Sequence, residues 1–261
     1  MNTLRSLALD LLTTADPDEK ARWTRAADTA LPVGAEDDIS ARGVIPGRPA
    51  QPVLVPHTEL SKRSVHTKEG RAALLHSLAH IELNAIDLAL DICWRFKGMP
   101  DLFYAQWMGV AREEALHFEL LRDHLATLDC RYGDLPAHNA LWEMAERTEH
   151  DILARIALVP RTAEARGLDA SPPIKAKLVK AGDHNGARIL DIILRDEIGH
   201  VAIGNHWYNW LCQRRGLNPV ATYAELARKY GAPRLRGPFN LEARLAAGFS
   251  PEELELLTQR E

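Results

Sequence analysis

Glu114-Ala115-Leu116-His117 and Glu197-Ile198-Gly199-His200 are two copies of Glu-x-x-His, each inside a stretch of helical periodicity. Residues three apart on an α-helix share a face, so each motif can offer a carboxylate and an imidazole to one ion. A lone glutamate precedes each copy: Glu82 stands 32 residues before Glu114, and Glu164 stands 33 before Glu197. Four carboxylates and two imidazoles from four helices are the ligand set of a di-iron or di-manganese carboxylate centre. Six protein ligands suffice for two bridged ions and leave positions open. Hard oxygen donors mixed with imidazole suit iron or manganese, and the shortage of cysteine argues against an iron–sulfur or structural zinc site.

A single Glu-x-x-His usually marks a solvated helix face, so the surroundings matter. Leu75, Ala79, Glu82, Ile86, Ala89, Cys93 and Phe96 recur at helical spacing, with Glu82 in mid-stripe. Phe103, Trp107, Val110, Glu114, His117, Leu121 and Leu125 form a second stripe. Leu190, Ile193, Glu197, Val201, Gly204, Tyr208 and Leu211 form another. A buried, uncompensated carboxylate costs several kcal/mol, and a bound cation pair would remove that cost. Arg112, Arg188 and Arg195 point mostly off the stripes. Glu164 competes with Glu146 and Glu149 as the third-helix ligand, and the matching offset favours Glu164.

Supporting positions follow from adjacency. Glu113 and Asp196 precede the motif glutamates and are candidates to hold the metal-bound histidines, as are Asp87 and Asp91. Tyr104, Tyr208 and His184 are candidate pocket residues. Trp107, Trp207 and Cys93 read as core. His76, His80 and His206 read as packed or surface histidines.

The 261 residues include 46% hydrophobic side chains, enough for a sizeable core. A net charge of −4 gives no footprint for a polyanion. Three cysteines, Cys93, Cys130 and Cys212, do not form a disulfide framework and fit a reducing cytoplasm. The opening Met1–Asp10 does not read as a signal peptide. No apolar run approaches the roughly 20 residues of a membrane span.

The spacing predicts an all-α chain. Residues 3–30 read as two short helices, the second opened by Asp16-Pro17. Residues 31–66, rich in Pro and Gly, read as an extended wrap, with Val53-Leu54-Val55 packing on something. Long helices are expected over 67–97 and 101–129, from Pro136 to Gly167 with a kink at Pro160, and from Asp183 to Arg215. Residues 168–184 read as a connection holding a short helix at 174–181. Three segments result: 1–66 N-terminal short helices and extended wrap, 67–215 helical bundle with the metal site, and 216–261 C-terminal helical cap, all in one structural domain.

The segments around these donors look familiar. Ala79-His80-Ile81-Glu82-Leu83, Arg112–Phe118, Val159–Asp169 and Arg195–His200 resemble the ferritin-like di-iron carboxylate superfamily, and within it the bacterial domain of unknown function 455 group. The Glu164-Ala165-Arg166 stretch is similar to that of the tRNA-modifying di-iron hydroxylase, which supports Glu164 as ligand. The resemblance implies a ferritin-like four-helix bundle and a metal site made of Glu82, Glu114, His117, Glu164, Glu197 and His200. It implies two iron ions, or manganese or a mixed Fe/Mn pair, with dioxygen as cosubstrate. The expected function is an oxygen-dependent oxidoreductase, a hydroxylase or oxygenase acting on a small molecule or a modified RNA, served by an electron donor. A homodimer is compatible, and no membrane partner is expected. The rival readings are a ferroxidase, peroxide scavenger or manganese catalase, and a non-catalytic binding scaffold.

Overall fold

The computed structural model describes residues 2–60 and 63–259. Met1, Ser61, Lys62, Arg260 and Glu261, which belong to the expected end segments, lie outside them. The described residues are all-α, with helices and no strand. None of these helices is long and apolar enough to cross a membrane. The chain divides into two compact units, Met1–Trp142 with Lys180–Ile189 and Glu143–Val179 with Leu190–Glu261.

In the first unit, helix α3 (Lys68–Arg95) packs along α4 (Asp101–Ala126). Thr67 starts α3 by accepting from Gly70 N. Gly98, at φ +78°, takes the left-handed turn that reverses the chain before Pro100. The sequence stripe predicts one apolar face for α3, yet Glu82 through Trp94 are buried without interruption. Two short helices contribute to this: α1 (Leu4–Leu12) lies against α3, and α2 (Pro17–Arg25), packed mainly on α4, also reaches α3 through Lys20. Asp16 caps α2 through Glu19 N at 2.8 Å, as Asp-Pro predicts.

The wrap is held by polar contacts more than by its own side chains. Buried Arg5 donates to the carbonyls of Gly34 (2.9 Å), Asp37 (2.7 Å) and Trp94 (2.7 Å). Trp94 Nε1 donates to Ile39 O at 3.0 Å. Val53-Leu54-Val55 pairs its backbone with Ala137, through Val55 N to Ala137 O (2.8 Å) and Ala137 N to Val53 O (3.0 Å). The Val53 and Leu54 side chains remain exposed.

In the second unit the expected single third helix is replaced by several. Helix α5 (Ala140–Arg147), begun in the first unit, ends in turns around Thr148–His150. Asp151 then caps α6 (Ile152–Leu158) through Leu153 N and Ala154 N. Where a kink at Pro160 was expected, Val159–Glu164 widens into a π-helical turn. Proline has no N–H for the i−4 carbonyl, and the turn absorbs the mismatch. Thr162 Oγ1 donates to Ala157 O at 2.7 Å.

The helix does not end at Gly167 either: α7 (Ala165–Lys180) runs through Pro172 and Pro173. Pro172 cannot donate to Leu168 O, and Asn240 Nδ2 takes that carbonyl instead at 3.2 Å. Helix α8 (His184–Arg214) follows the predicted bounds within one residue at each end. The expected cap consists of α9 (Pro219–Lys229), α10 (Leu241–Ala246) and α11 (Pro251–Thr258).

Arg161, carried by the π turn, organises this unit. Its guanidinium lies 4.5, 5.1 and 5.0 Å from the ring centroids of Tyr208, Tyr223 and Phe249. It donates to Asn205 Oδ1 at 2.6 Å and pairs with Glu253.

Candidate metal centre

Glu82 from α3 meets Glu114 and His117 from α4, with their donor atoms all within 4.8 Å of one another. His117 Nδ1 lies 3.1 Å from Glu114 Oε2 and 3.3 Å from Glu82 Oε2. The i,i+3 step of α4 brings the first pair together, and α3 packing on α4 brings the third donor. All three side chains are buried, at 4, 0 and 0% exposure. Two carboxylates and an imidazole here have almost no water to share their charge.

The electrostatics follow from that. Burial first, then the neighbouring charge of Glu114, raises Glu82 to about 7. Burial works against a charged His117, but hydrogen bonding and charge from Glu114 and Glu82 carry it up to about 12. Both shifts point to a cluster that demands positive charge. Glu82 Oε2 is buried, with His117 Nδ1 3.3 Å away and no closely aligned donor among the described residues. The residues therefore fit a hard divalent cation, held by oxygen and imidazole donors.

In the second unit, Glu197 and His200 stand one turn apart on α8, with Oε2 and Nδ1 3.9 Å apart and exposures of 6 and 1%. Gly167 lies close by: a Cβ there would sit 3.9 Å from Glu197 Cδ. Glu164 closes the π turn with its Oε2 buried. Among the described residues it completes no three-donor set with Glu197 and His200 within 4.8 Å. Its rivals lie nearer the surface: Glu146 is exposed, and half-buried Glu149 pairs with His150 at 3.1 Å.

The supporting positions divide. Asp87, five residues beyond Glu82, lies about 140° around the helix from it. It is buried against Lys20, which holds it as an ion pair and prevents a role behind a ligand histidine. Asp91 is gripped by Arg95 at 2.6 Å. Glu113 is exposed, and Asp196 pairs with its neighbour Arg195 at 2.8 Å. Adjacency in sequence predicted a supporting role for these two, but helical phase turns Glu113 outward.

The two candidate pocket tyrosines make structural hydrogen bonds. Tyr104 OH donates to Phe96 O (2.8 Å) and accepts from Met99 N (3.0 Å), fastening the α3–α4 turn. Tyr208 OH donates to Pro219 O at 2.7 Å. His184 is exposed at the start of α8. Trp107, Trp207 and Cys93 are core, as expected.

Several histidine contacts escaped the sequence reading. His80 Nδ1 meets Tyr132 OH at 2.8 Å and its Nε2 meets His138 O at 3.0 Å. His76 Nε2 accepts from Gly133 N at 3.0 Å. Burial lowers both histidines to about 4, so they are neutral. His124 Nε2 meets Asp183 at 2.8 Å, and Asp183 also accepts from Gly186 N at the start of α8. Of these, only the Asp-x-x-Gly at the start of α8 left a local trace in the sequence.

A Haemophilus influenzae "Uncharacterized protein" is 47% identical over 264 residues, covering 96% of this chain and 92% of that relative. No solved structure matches. The family described as "Protein of unknown function (DUF455)" matches residues 13–255. With nearly the whole chain matched and a relative this similar along its length, the protein belongs to the DUF455 family.

Proposed function

We propose that this protein is a ferritin-like, non-haem dinuclear metal oxidoreductase, most simply a hydroxylase or oxygenase. The observation that carries the reading is the buried Glu82–Glu114–His117 set, whose donor chemistry and shifted protonation call for a cation. The second Glu-x-x-His, with Glu197 and His200 buried, supports a second ion, and Glu164 is its proposed further ligand. Long α3, α4 and α8 support a four-helix bundle built around that pair.

When bound, the metal pair would supply dioxygen activation, with electrons from a separate donor. The chain's own residues do the rest. Glu82 and Glu114 bring negative charge to a water-poor interior, which raises their affinity for a divalent ion. The packing of α3 on α4 sets the spacing of the donors before binding. The substrate is an organic molecule, small or RNA-borne. Free Cys93, Cys130 and Cys212 support a reducing cytoplasmic setting.

Anaerobic iron loading tests this directly, with an expected outcome of two irons per chain. Glu114→Ala and His200→Ala should each abolish loading of the pair; full loading in both variants overturns the ligand assignment. A shared centre requires exchange coupling between the ions, and two magnetically independent ions would overturn the dinuclear reading. The same donors serve a ferroxidase or manganese catalase. Rapid peroxide disproportionation without organic substrate would favour that second reading.

A further inference from the structure

A cavity of about 340 Å³ opens in the first unit, between the N-terminal segment and α3. His80, Leu83, Asn84 and Asp87 line it from α3. Helical phase puts that face on the side of α3 turned away from Glu82. The cavity is therefore separate from the candidate metal centre.

The polar groups on its walls can be accounted for one by one. Lys20 is 1% exposed; its Nζ pairs with Asp87 and donates to Gly47 O at 2.9 Å. Its charge is cancelled. His80 is engaged at both ring nitrogens by Tyr132 OH and His138 O. Asn84 Nδ2 donates to His80 O at 2.8 Å. Arg48 remains. Its guanidinium lies over the Trp142 ring, 5.9 Å from the centroid. Its Nη2 is buried and, among the described residues, has no hydrogen-bond partner.

A buried guanidinium N–H without an acceptor is among the costliest polar arrangements, and a native structure rarely keeps one without a purpose. The remaining walls are apolar, made by Leu83, Leu54 and the rings of Pro17, Pro49 and Pro52. A charged group left available beside an apolar floor, in a cavity of this size, suits a small ligand with one polar end.

We propose that this cavity binds a small organic monocarboxylate, its carboxylate held by Arg48 and its apolar body laid against Leu83 and the proline rings. The charge count selects the class. With Lys20 neutralised by Asp87, the walls carry one uncompensated positive charge, which matches a single carboxylate. A dianionic phosphate would leave one negative charge buried and uncompensated. Half-buried Arg48 lines the cavity and, with Nη2 closed off, offers its remaining guanidinium N–H groups to a carboxylate oxygen.

The test uses the full chain and defined probes: benzoate and hexanoate as carboxylates, hexanol as the neutral isostere, and inorganic phosphate as the competing anion. Chemical-shift titration should show saturable binding of both carboxylates. Hexanol, phosphate and the Arg48→Gln variant should each bind about tenfold to a hundredfold more weakly, the loss expected for one charged hydrogen-bonding group. Should Arg48→Gln fold poorly, the wild-type chain still decides: benzoate should protect Arg48 from phenylglyoxal, read by mass spectrometry. Absence of saturable carboxylate binding, tighter binding of phosphate than of benzoate, or an unprotected Arg48 at saturating benzoate overturns the proposal.

Discussion

Lys20 and Asp87 show what a single residue pair decides in this protein. They sit 67 positions apart and are both almost fully buried. Burial raises the Asp87 carboxyl, and Lys20 opposes the shift. Removing one partner strands the other charge in a dry interior. Lys20→Met should therefore destabilise the fold by about 3–5 kcal/mol, while Lys20→Met with Asp87→Leu should recover most of the loss. Denaturant unfolding of the two variants checks this, and a single variant as stable as wild type would contradict it. The donors of the candidate metal centre were legible at this scale because i,i+3 spacing is a local property of a helix. The Lys20 partnership was not, because a lysine in a short surface-like helix gives no sign of which distant carboxylate it will meet.

At the scale of elements, the π turn at Val159–Glu164 is the clearest departure from expectation. Pro160 announced a disturbance, but its form depended on what the turn packs against. Gly204 on α8 lies under it: a Cβ at that position would approach Pro160 Cβ to 3.0 Å. Gly204→Ala should thus lower stability by about 1–3 kcal/mol through overpacking. Helix propensity alone would favour alanine by about 1 kcal/mol, so a stabilised variant would show that the two elements do not press on each other. The length of α7 makes the same point. The sequence predicts a break near Gly167 and the Pro172-Pro173 pair, yet Asn240 takes the carbonyl that Pro172 leaves free and also caps α10 through Ala243 N. Asn240→Ala should cost about 1–2 kcal/mol, measured by thermal or denaturant unfolding. A loss near zero would mean that solvent satisfies both groups equally well.

For the whole molecule, acid stability depends partly on buried neutral histidine. His76 is 1% exposed, and burial lowers it to about 4 from an ordinary 6.5. Between those values the unfolded chain binds the extra proton. The stabilising contribution is thus present above the unfolded value and fades as pH falls towards the folded one. Unfolding free energy should drop by about 2 kcal/mol between roughly pH 7 and pH 5 from this residue. His76→Gln should flatten that slope, and an unchanged slope would remove His76 as its source. The Tyr132 ring, which stacks on His76 with centroids 5.3 Å apart, contributes to that burial, and Gly133 N donates to His76 Nε2. Hydropathy along the chain could not foresee it, since α3 is buried on more sides than its own stripe requires.

The amino-acid order alone determined the all-α class, the approximate bounds of α3 and α4, those of α8 within a residue, the cap at Asp16, and the donor types at Glu82, Glu114, His117, Glu197 and His200. These depend on interactions a few residues long, which periodicity records. Only the tertiary structure decided which acids are already engaged, how the chain passes Pro160 and Pro172, and where Arg48 is left facing a cavity. Those outcomes rest on contacts between residues tens of positions apart, and local spacing carries no information about which distant group will arrive.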